Sequence, residues 1–272
     1  MTFPAHFTDQ LSRTIILTGR PERIVSLVPS QTELLYSLGL NETVIGVTKF
    51  CIHPPEWQQE KSIIGGTKKL NLDKIRSLNP DLIIANKEEN EESQIKVLME
   101  EFPVWVSDIN TLADALEMIR AVGDLTNTAH QAEMLALEIE DDFKQLYYYG
   151  SEKPAIRSAY LIWKSPWMAA GNQTFIHDLM YRAGFINCFG HKDRYPELTV
   201  DELRELSPEV VFLSSEPYPF QQKHLDELRN ELPDTKILLV DGELFSWYGS
   251  RLKKSAGYFR KLVEEIRTEK NC

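Results

Sequence analysis

One segment of the chain repeats in register, and this repeat limits the folds that the sequence can adopt. Residues 71–84 align with residues 199–212, so that an aspartate, an arginine, a leucine and a proline coincide. Upstream of them, residues 33–39 match residues 178–184. Any two junctions in which a helix ends at a proline and leads into a strand look alike. Two correspondences in the same order nevertheless favour an internal duplication.

Strands alternate with helices on both sides of the long middle segment. The helix signals include a capping box, Ser30 to Glu33, and two further caps at Asn71 and Thr199. This alternation predicts an α/β fold with two αβα lobes, each built on a mostly parallel central sheet. Apolar runs predict the strands at 23–29, 44–48, 81–85, 104–107, 159–163 and 236–240.

A long helix is predicted between the two lobes. From Leu125 onward, apolar residues recur at intervals of three and four, which keeps one face of a helix apolar for about 30 Å. The 272 residues are enough for two hydrophobic cores. The predicted division is an N-terminal α/β lobe at 1–124, a connecting helix at 125–150 and a C-terminal α/β lobe at 151–272.

Composition excludes several classes of protein. With 30 basic and 41 acidic residues the net charge is −11, which argues against nucleic acid as a partner. The apolar runs have the length of strands, so the chain is not expected to span a membrane. The first residues lack a secretory signal, which predicts a cytoplasmic protein unless the true start lies upstream. A monomer is the expected oligomeric state.

The sequence predicts neither an enzyme nor a metal site. Nucleotide-binding glycine motifs, the GxSxG motif and the HExxH motif are missing from it. The three cysteines form no CxxC pair. His53 and His191 lie in predicted loops, where they are candidates for contact with a ligand. A hydrolase that uses Asp241 and Glu243 is the remaining catalytic alternative.

Aromatic residues gather in loops that follow strands, where a ligand of an α/β protein binds. Each ring buries about 150–250 Å², so several of them would dominate the binding of a large flat ligand. Arg251 is a candidate to bind a carbonyl or a phosphate. The predicted ligand-binding residues are Phe50, Trp163, Trp167, Met168, Tyr195, Phe245, Trp247 and Arg251.

Asp73 and Asp201 occupy the second position of their predicted helices, behind the caps Asn71 and Thr199. One explanation is favourable placement against the helix dipole. The other is that each lobe presents one carboxylate outward, as a docking surface for a symmetric partner with basic pockets.

Several segments together resemble a known family, the helical-backbone solute-binding proteins of ABC importers, and most closely their cobalamin-binding branch. They cover nearly the whole chain in order: residues 23–35, 44–48, 53–56, 71–73, 79–83, 163–171, 174–179 and 195–199.

The resemblance implies a corrinoid, a cobalamin-like ligand, held between the lobes, with no catalytic cofactor. It places Phe50 and Tyr195 against the ligand and the loop from Trp163 to Met168 along its far side. It also implies that Asp73 and Asp201 dock on arginines of a permease dimer, and that the protein works in the periplasm or at the cell surface.

Three alternatives stay open at this point. An iron-siderophore or haem binder of the same fold is the nearest, and it would place additional arginine or tyrosine side chains at the ligand. A zinc or manganese binder would need a set of His, Asp and Glu that the loops lack. A cytoplasmic corrinoid-handling protein that is not coupled to transport is the alternative from another class.

Overall fold

The computed structural model describes residues 2–151 and 153–268, which form two compact units. The division falls inside the long helix, after Glu138. Unit 1 takes its described residues from Met1–Ile109, Ala113–Glu138 and Tyr248–Arg251; unit 2 takes them from Asn110–Leu112, Ile139–Trp247 and Leu252–Cys272.

Unit 1 is built on a parallel sheet whose strand order is β5-β4-β3-β6-β7. These strands are β3 (Ile24–Ser26), β4 (Val44–Val47), β5 (Ser62–Ile63), β6 (Leu82–Asn86) and β7 (Val104–Ser107). Every residue of β6 is buried, as expected for a central parallel strand that is covered on both faces. An antiparallel hairpin that the sequence did not predict precedes the sheet; its strands are β1 (Ala5–Thr8) and β2 (Thr14–Leu17).

The helices within the described residues 2–151 are α1 (Pro29–Ser37), α2 (Trp57–Glu60), α3 (Leu72–Leu78), α4 (Glu92–Met99), α5 (Leu112–Thr126) and α6 (Ala129–Ser151). The predicted capping box of α1 is wrong. The helix begins at Pro29, and its N-cap residue is Val28, which makes no side-chain cap bond. Because proline is preorganised for the first helical position, the helix starts one residue before Ser30.

Helix α6 confirms the predicted long helix with a later start. Helix α5 ends at Thr126, and Asn127 has a left-handed backbone with φ of 59°. This turn separates two helices where the sequence predicted one from Leu125. In the part of the chain that the structure describes, no helix is long and apolar enough to cross a membrane. The predicted apolar face is buried at Ala132, Ala136, Ile139, Phe143 and Leu146.

Unit 2 is built on a mostly parallel sheet, which confirms the predicted α/β class. Its strand order is β11-β9-β8-β12-β13, and β10 pairs with β8. Strand β9 runs antiparallel to both of its neighbours, β8 and β11. The strands are β8 (Ile156–Trp163), β9 (Trp167–Ala169), β10 (Phe185–Asn187), β11 (Glu197–Leu198), β12 (Val210–Ser214) and β13 (Lys236–Val240).

The helices of unit 2 are α7 (Phe175–Arg182), α8 (Val200–Leu206), α9 (Gln222–Glu231), α10 (Glu243–Ser246) and α11 (Leu252–Thr268). Leucines of α8 and α9 pack on the buried faces of β8 and β12. Among the residues of this core are Ala159, Leu161, Leu203, Val211, Leu213, Leu225 and Leu228.

The repeated segments adopt the same local structure in the two units. Helices α3 and α8 have seven residues each. The cap Asn71 accepts a hydrogen bond from the Lys74 amide at 3.0 Å, and Thr199 accepts one from the Glu202 amide at 3.1 Å. Both helices end at a left-handed residue and lead into a five-residue strand. The predicted register is therefore confirmed over these residues.

Candidate functional site

Phe50 lies on the rim of an open pocket in unit 1. The pocket has a volume of about 970 Å³, which is within the range of small-molecule sites. The Phe50 side chain, in the loop that follows β4, is 50% exposed. The lining residues are Lys49, Phe50, Gly65, Gly66, Thr67, Lys68, Lys69, Leu70, Asn71, Leu72, Asp73 and Arg76.

A turn from Gly66 to Lys69, which we call the basic turn, forms one wall of this pocket. The Gly66 amide donates to the Lys69 carbonyl at 2.9 Å, and the Lys69 amide donates to the Gly66 carbonyl at 3.2 Å. Gly65, just before the turn, has φ of +104°, and a Cβ there would come within 2.5 Å of the Lys69 carbonyl oxygen. Position 65 therefore requires glycine.

A buried polar network lies at the carboxyl ends of β6 and β7. The side-chain amide groups of Asn86 and Gln31 both donate to the Ser107 hydroxyl, at 2.9 and 2.6 Å. Asn90 donates to the Thr67 carbonyl at 3.1 Å, which ties the basic turn to this part of unit 1. Sequence reasoning missed this network. The signal for it was a set of polar residues at or just after the ends of buried strands: Gln31, Asn86, Asn90 and Ser107.

Unit 2 carries an aromatic cluster in the loops that follow β8 and β12. Trp167 stacks on Phe220 with ring centroids 5.8 Å apart and an interplanar angle of 7°. Trp163 meets Tyr218 edge-on at 5.5 Å, and Tyr218 contacts Phe220 at 4.8 Å. Trp163 is 40% exposed. Tyr218 and Phe220 were not predicted; the signal for them is the run of prolines and aromatics at 217–220.

Lys164, at the tip of the β8–β9 connection, lies over the Trp167 ring with its Nζ 5.0 Å from the centroid. It also forms an ion pair with Glu227. Both contacts hold the loop that presents the two predicted tryptophans, Trp163 and Trp167. The aromatic cluster is thus a fixed surface with a cation at its edge.

Met168 and Tyr195 are half-buried in unit 2. Met168 lies on β9, where its Cα pairs with those of Trp163 and Glu197. Tyr195 precedes β11, and the Arg194 guanidinium lies 5.3 Å from its ring centroid. The antiparallel β9–β11 pair brings the segments that carry these two residues together.

The structure contradicts the prediction that Phe245 contacts a ligand. A loop was expected after β13, but residues 243–246 form the short helix α10, which turns Phe245 into the core. Its side chain is fully buried, with the rings of Phe259 at 4.6 Å and Tyr160 at 4.8 Å. Phe245 is therefore a core residue.

Trp247 and Arg251, two further predicted ligand-binding residues, are largely buried and bonded within the protein. Trp247 is 7% exposed, and its indole nitrogen donates to Glu216 Oε1 at 2.9 Å. Arg251 is 8% exposed and forms a two-pronged ion pair with Glu33, with N···O distances of 2.8 and 3.0 Å. A guanidinium engaged in this way is bound by the protein itself.

Glu216 is a largely buried carboxylate at the end of β12. Burial raises its pKa above the ordinary value, and the nearby carboxylates of Glu243 and Asp241 raise it further. The hydroxyl of Ser246 and the indole of Trp247 both donate to Glu216 Oε1, which opposes that rise. Because this acceptor serves two donors, Glu216 organises the segment that follows β13.

Asp73 and Asp201 stand at equivalent positions, each on the exposed first turn of a short helix. Their side chains are 94% and 84% exposed. Arg76 pairs with Asp73 at 3.0 Å and with Glu101 at 2.7 Å. In unit 2 the equivalent Arg204 pairs with Asp201 and Glu231. Each aspartate is therefore part of a repeated acid–arginine–acid triad.

The described side chains do not assemble a metal centre. Among residues 2–150 and 153–268, no three His, Cys, Asp or Glu side chains are placed to hold a metal ion. Cys51 and Cys188 are buried free thiols, and burial raises the pKa of each above the ordinary value. Cys272 lies outside the described residues.

Comparison with known families decides where the chain belongs. The family model described as periplasmic binding protein matches residues 24–233, which is most of the sequence. The chain belongs to the periplasmic binding protein family. This family comprises the binding proteins of ABC transporters that the sequence resemblance indicated.

Two curated proteins show how far the relationship of this periplasmic binding protein extends. It is 24% identical over 217 residues to an uncharacterised ABC transporter substrate-binding lipoprotein, YvrC, of Bacillus subtilis. The aligned region covers 77% of this chain and 68% of the relative. It is 24% identical over 260 residues to the vitamin B12-binding protein of Pectobacterium atrosepticum, which covers 91% of this chain and 90% of the relative.

Among solved structures, the periplasmic haem-binding protein RhuT of Roseiflexus sp. RS-1 superposes with a TM-score of 0.77 at 22% identity. The superposition covers 91% of this chain and 98% of the other. The superposition shows that this chain has the fold of that protein.

Proposed function

We propose that this chain is the solute-binding component of an ABC importer and that its solute is a corrinoid. The observation that carries the proposal is the placement of exposed or partly exposed aromatic side chains in each unit. Phe50 lies on the pocket rim of unit 1, and the cluster of Trp163 and Trp167 lies in unit 2. The curated relative that binds vitamin B12 and matches nine-tenths of the chain supports the same class of solute.

Aromatic burial supplies the affinity in this proposal. Burying about 100 Å² of apolar surface on one ring contributes about 2.5 kcal/mol. Two or three such rings offset the cost of immobilising the solute, which is at least about 4 kcal/mol. Met168 and Tyr195 extend the unit 2 surface with an adaptable thioether and a hydrogen-bonding hydroxyl. The proposed role is binding without catalysis.

We further propose that Asp73 and Asp201 dock the protein on a permease. Each carboxylate is almost fully exposed at the start of a helix, one in each unit. Arg76 and Arg204 restrict the carboxylates to one orientation, which lowers the entropy lost when a partner binds. A permease dimer that presents one basic residue per subunit is the partner of matching chemistry and symmetry.

Haem or a ferric siderophore is the second candidate solute, and the lysines of the unit 1 pocket favour it. Lys49, Lys68 and Lys69 line the same pocket as Phe50. Haem carries carboxylates beside a flat apolar ring, which suits this combination, whereas cyanocobalamin carries no net charge.

Titration of the purified full chain with cyanocobalamin, haemin and ferrichrome tests the solute class. Calorimetry gives the stoichiometry, and the visible spectrum of each chromophore reports its environment. The proposal expects one-to-one binding of cyanocobalamin at micromolar affinity or better, which corresponds to about −8 kcal/mol. Preference for haemin would favour the second candidate, and binding of none of the three would refute the solute class.

A further inference from the structure

The pocket of unit 1 has a charge opposite to that of the whole chain. The sequence has a net charge of −11, yet the pocket is lined by Lys49, Lys68, Lys69 and Arg76. Among these lining residues the acid is Asp73, and it is already paired with Arg76 at 3.0 Å. Arg76 is also bound by Glu101, so this arginine and its acids largely neutralise one another. The three lysines therefore set the charge of the pocket.

The basic turn is held rigidly before any ligand arrives. Gln94 donates to the Lys68 carbonyl at 2.9 Å and accepts from the Leu70 amide at 2.7 Å. Asn90 holds the Thr67 carbonyl, and the Lys68 ammonium donates to the Glu88 carbonyl. Because both flanks of the turn are bound to helix α4 or to the segment before it, its backbone loses little freedom when a ligand binds.

Phe50 and Lys49 lie directly over this turn. A Cβ built on Gly66 would come within 3.0 Å of the Phe50 ring and 3.4 Å of the Lys49 side chain. The Lys49 ammonium is 4.9 Å from the Phe50 ring centroid. The absence of a side chain at Gly66 thus allows a flat apolar face and positive charges to share one surface.

We propose that Lys49, Lys68 and Lys69 form a subsite for an anionic group, a carboxylate or a phosphate, that the solute carries beside a flat apolar face. The inference rests on the proposed solute-binding function and names the chemistry of the solute. Phe50 packs on the apolar face, while the lysines attract the anion, whose charge the acidic remainder of the chain would otherwise repel. A haem propionate and a free side-chain carboxylate of a corrinoid acid share this chemistry.

The first test is independent of the solute. The isotope-labelled full chain is titrated with citrate and with inorganic pyrophosphate while the amide signals of residues 67–70 are followed by NMR. The subsite predicts saturable shifts at these amides, with affinity that is lowered about tenfold in a Lys68→Gln, Lys69→Gln double variant. Lys96→Gln is the matched control, because this exposed lysine pairs with Glu92 on α4, outside the pocket lining.

The second test separates the sources of the anion. Haemin is compared with its dimethyl ester, and cyanocobalamin with a derivative that carries one free side-chain carboxylate. The subsite predicts that the free acid binds about tenfold more tightly than its neutral partner. It also predicts that the lysine double variant removes this difference and that salt weakens it. The pair that shows the difference identifies the solute.

The outcomes separate the subsite from the proposed function. Small-anion shifts at the turn without binding of any macrocycle would support the subsite and refute the solute class. Macrocycle binding that ignores carboxylates, together with unshifted turn amides, would overturn the subsite and leave the solute-binding function intact.

Discussion

Glu216 is a carboxylate of unit 2 whose protonation is linked to the stability of the fold. Its pKa is raised in the folded protein, mainly by burial. The folded chain therefore keeps this proton to a higher pH than the unfolded chain. The contribution of Glu216 to the free energy of unfolding then falls as pH rises from the ordinary glutamate pKa, about 4.3, through the raised one.

Replacing Glu216 tests both its charge and its hydrogen bonds. Glu216→Gln keeps an oxygen acceptor for Ser246 and Trp247, so we expect the fall in stability with rising pH to become smaller. Glu216→Leu removes the carboxylate acceptor from both donors and should lower the free energy of unfolding by about 1–3 kcal/mol. Urea unfolding of the full chain at about pH 5 and about pH 8 measures both effects. An unchanged pH dependence in Glu216→Gln would contradict this assignment.

Arg251 is held inside the folded chain by an ion pair. Its partner is Glu33, whose side chain is 14% exposed. We expect Arg251→Ala to lower the free energy of unfolding by about 3 kcal/mol, because it leaves a carboxylate nearly buried without its partner. The exposed pair of Lys96 and Glu92 is the control, and Lys96→Ala should leave the free energy of unfolding almost unchanged. Equal losses in the two variants would exclude the special role of Arg251.

At the scale of single helices and strands, the predictable features were those with a local cause. Asn71 and Thr199 could be identified as caps because a polar residue preceded an apolar helical period, and both cap bonds are present. The same reasoning was wrong at Ser30, where the preceding proline begins the helix. Local patterns therefore predicted helices better than they predicted the first residue.

The aromatic cluster of unit 2 shows what local patterns omit. Trp163 and Trp167 were predicted, yet half of the cluster comes from Tyr218 and Phe220, about fifty residues further along the chain. The loop at 217–220 has no helical or strand period, so its contact with the β8–β9 connection depends on the pairing of β8 with β12. Phe245 was misplaced for the related reason that α10 is too short to have a sequence period.

The cap of α8 makes a testable contribution to unit 2. Thr199→Ala removes the acceptor for the Glu202 amide and should lower the free energy of unfolding by about 1 kcal/mol. Thr199→Ser keeps the hydroxyl and should restore most of that stability. Chemical denaturation of the two variants beside the unmodified chain measures the difference. Identical losses for alanine and serine would show that the hydroxyl does not act as a cap.

At the scale of the whole molecule, the duplicated triads predict a separation of binding from delivery. Asp201→Ser alone should leave solute affinity unchanged, because Asp201, unlike Asp73, does not line the unit 1 pocket. Substituting both aspartates by serine removes both proposed docking carboxylates. It should lower the stimulation of ATP hydrolysis in a reconstituted cognate importer by about tenfold or more. Asp141→Ser, on the exposed face of α6, is the control. Full stimulation by the double variant would remove the docking proposal and favour a protein that is not coupled to transport.

The central claim is that aromatic side chains, Phe50 and Trp167 among them, supply the affinity for one bound solute. Calorimetric titration of the preferred macrocycle into the unmodified chain, Phe50→Ala, Trp167→Ala and the double variant tests it most directly. We predict one ligand per chain, a loss of about tenfold in affinity for each substitution and of about a hundredfold for both. Two ligands per chain, or full affinity after either substitution, would contradict the claim.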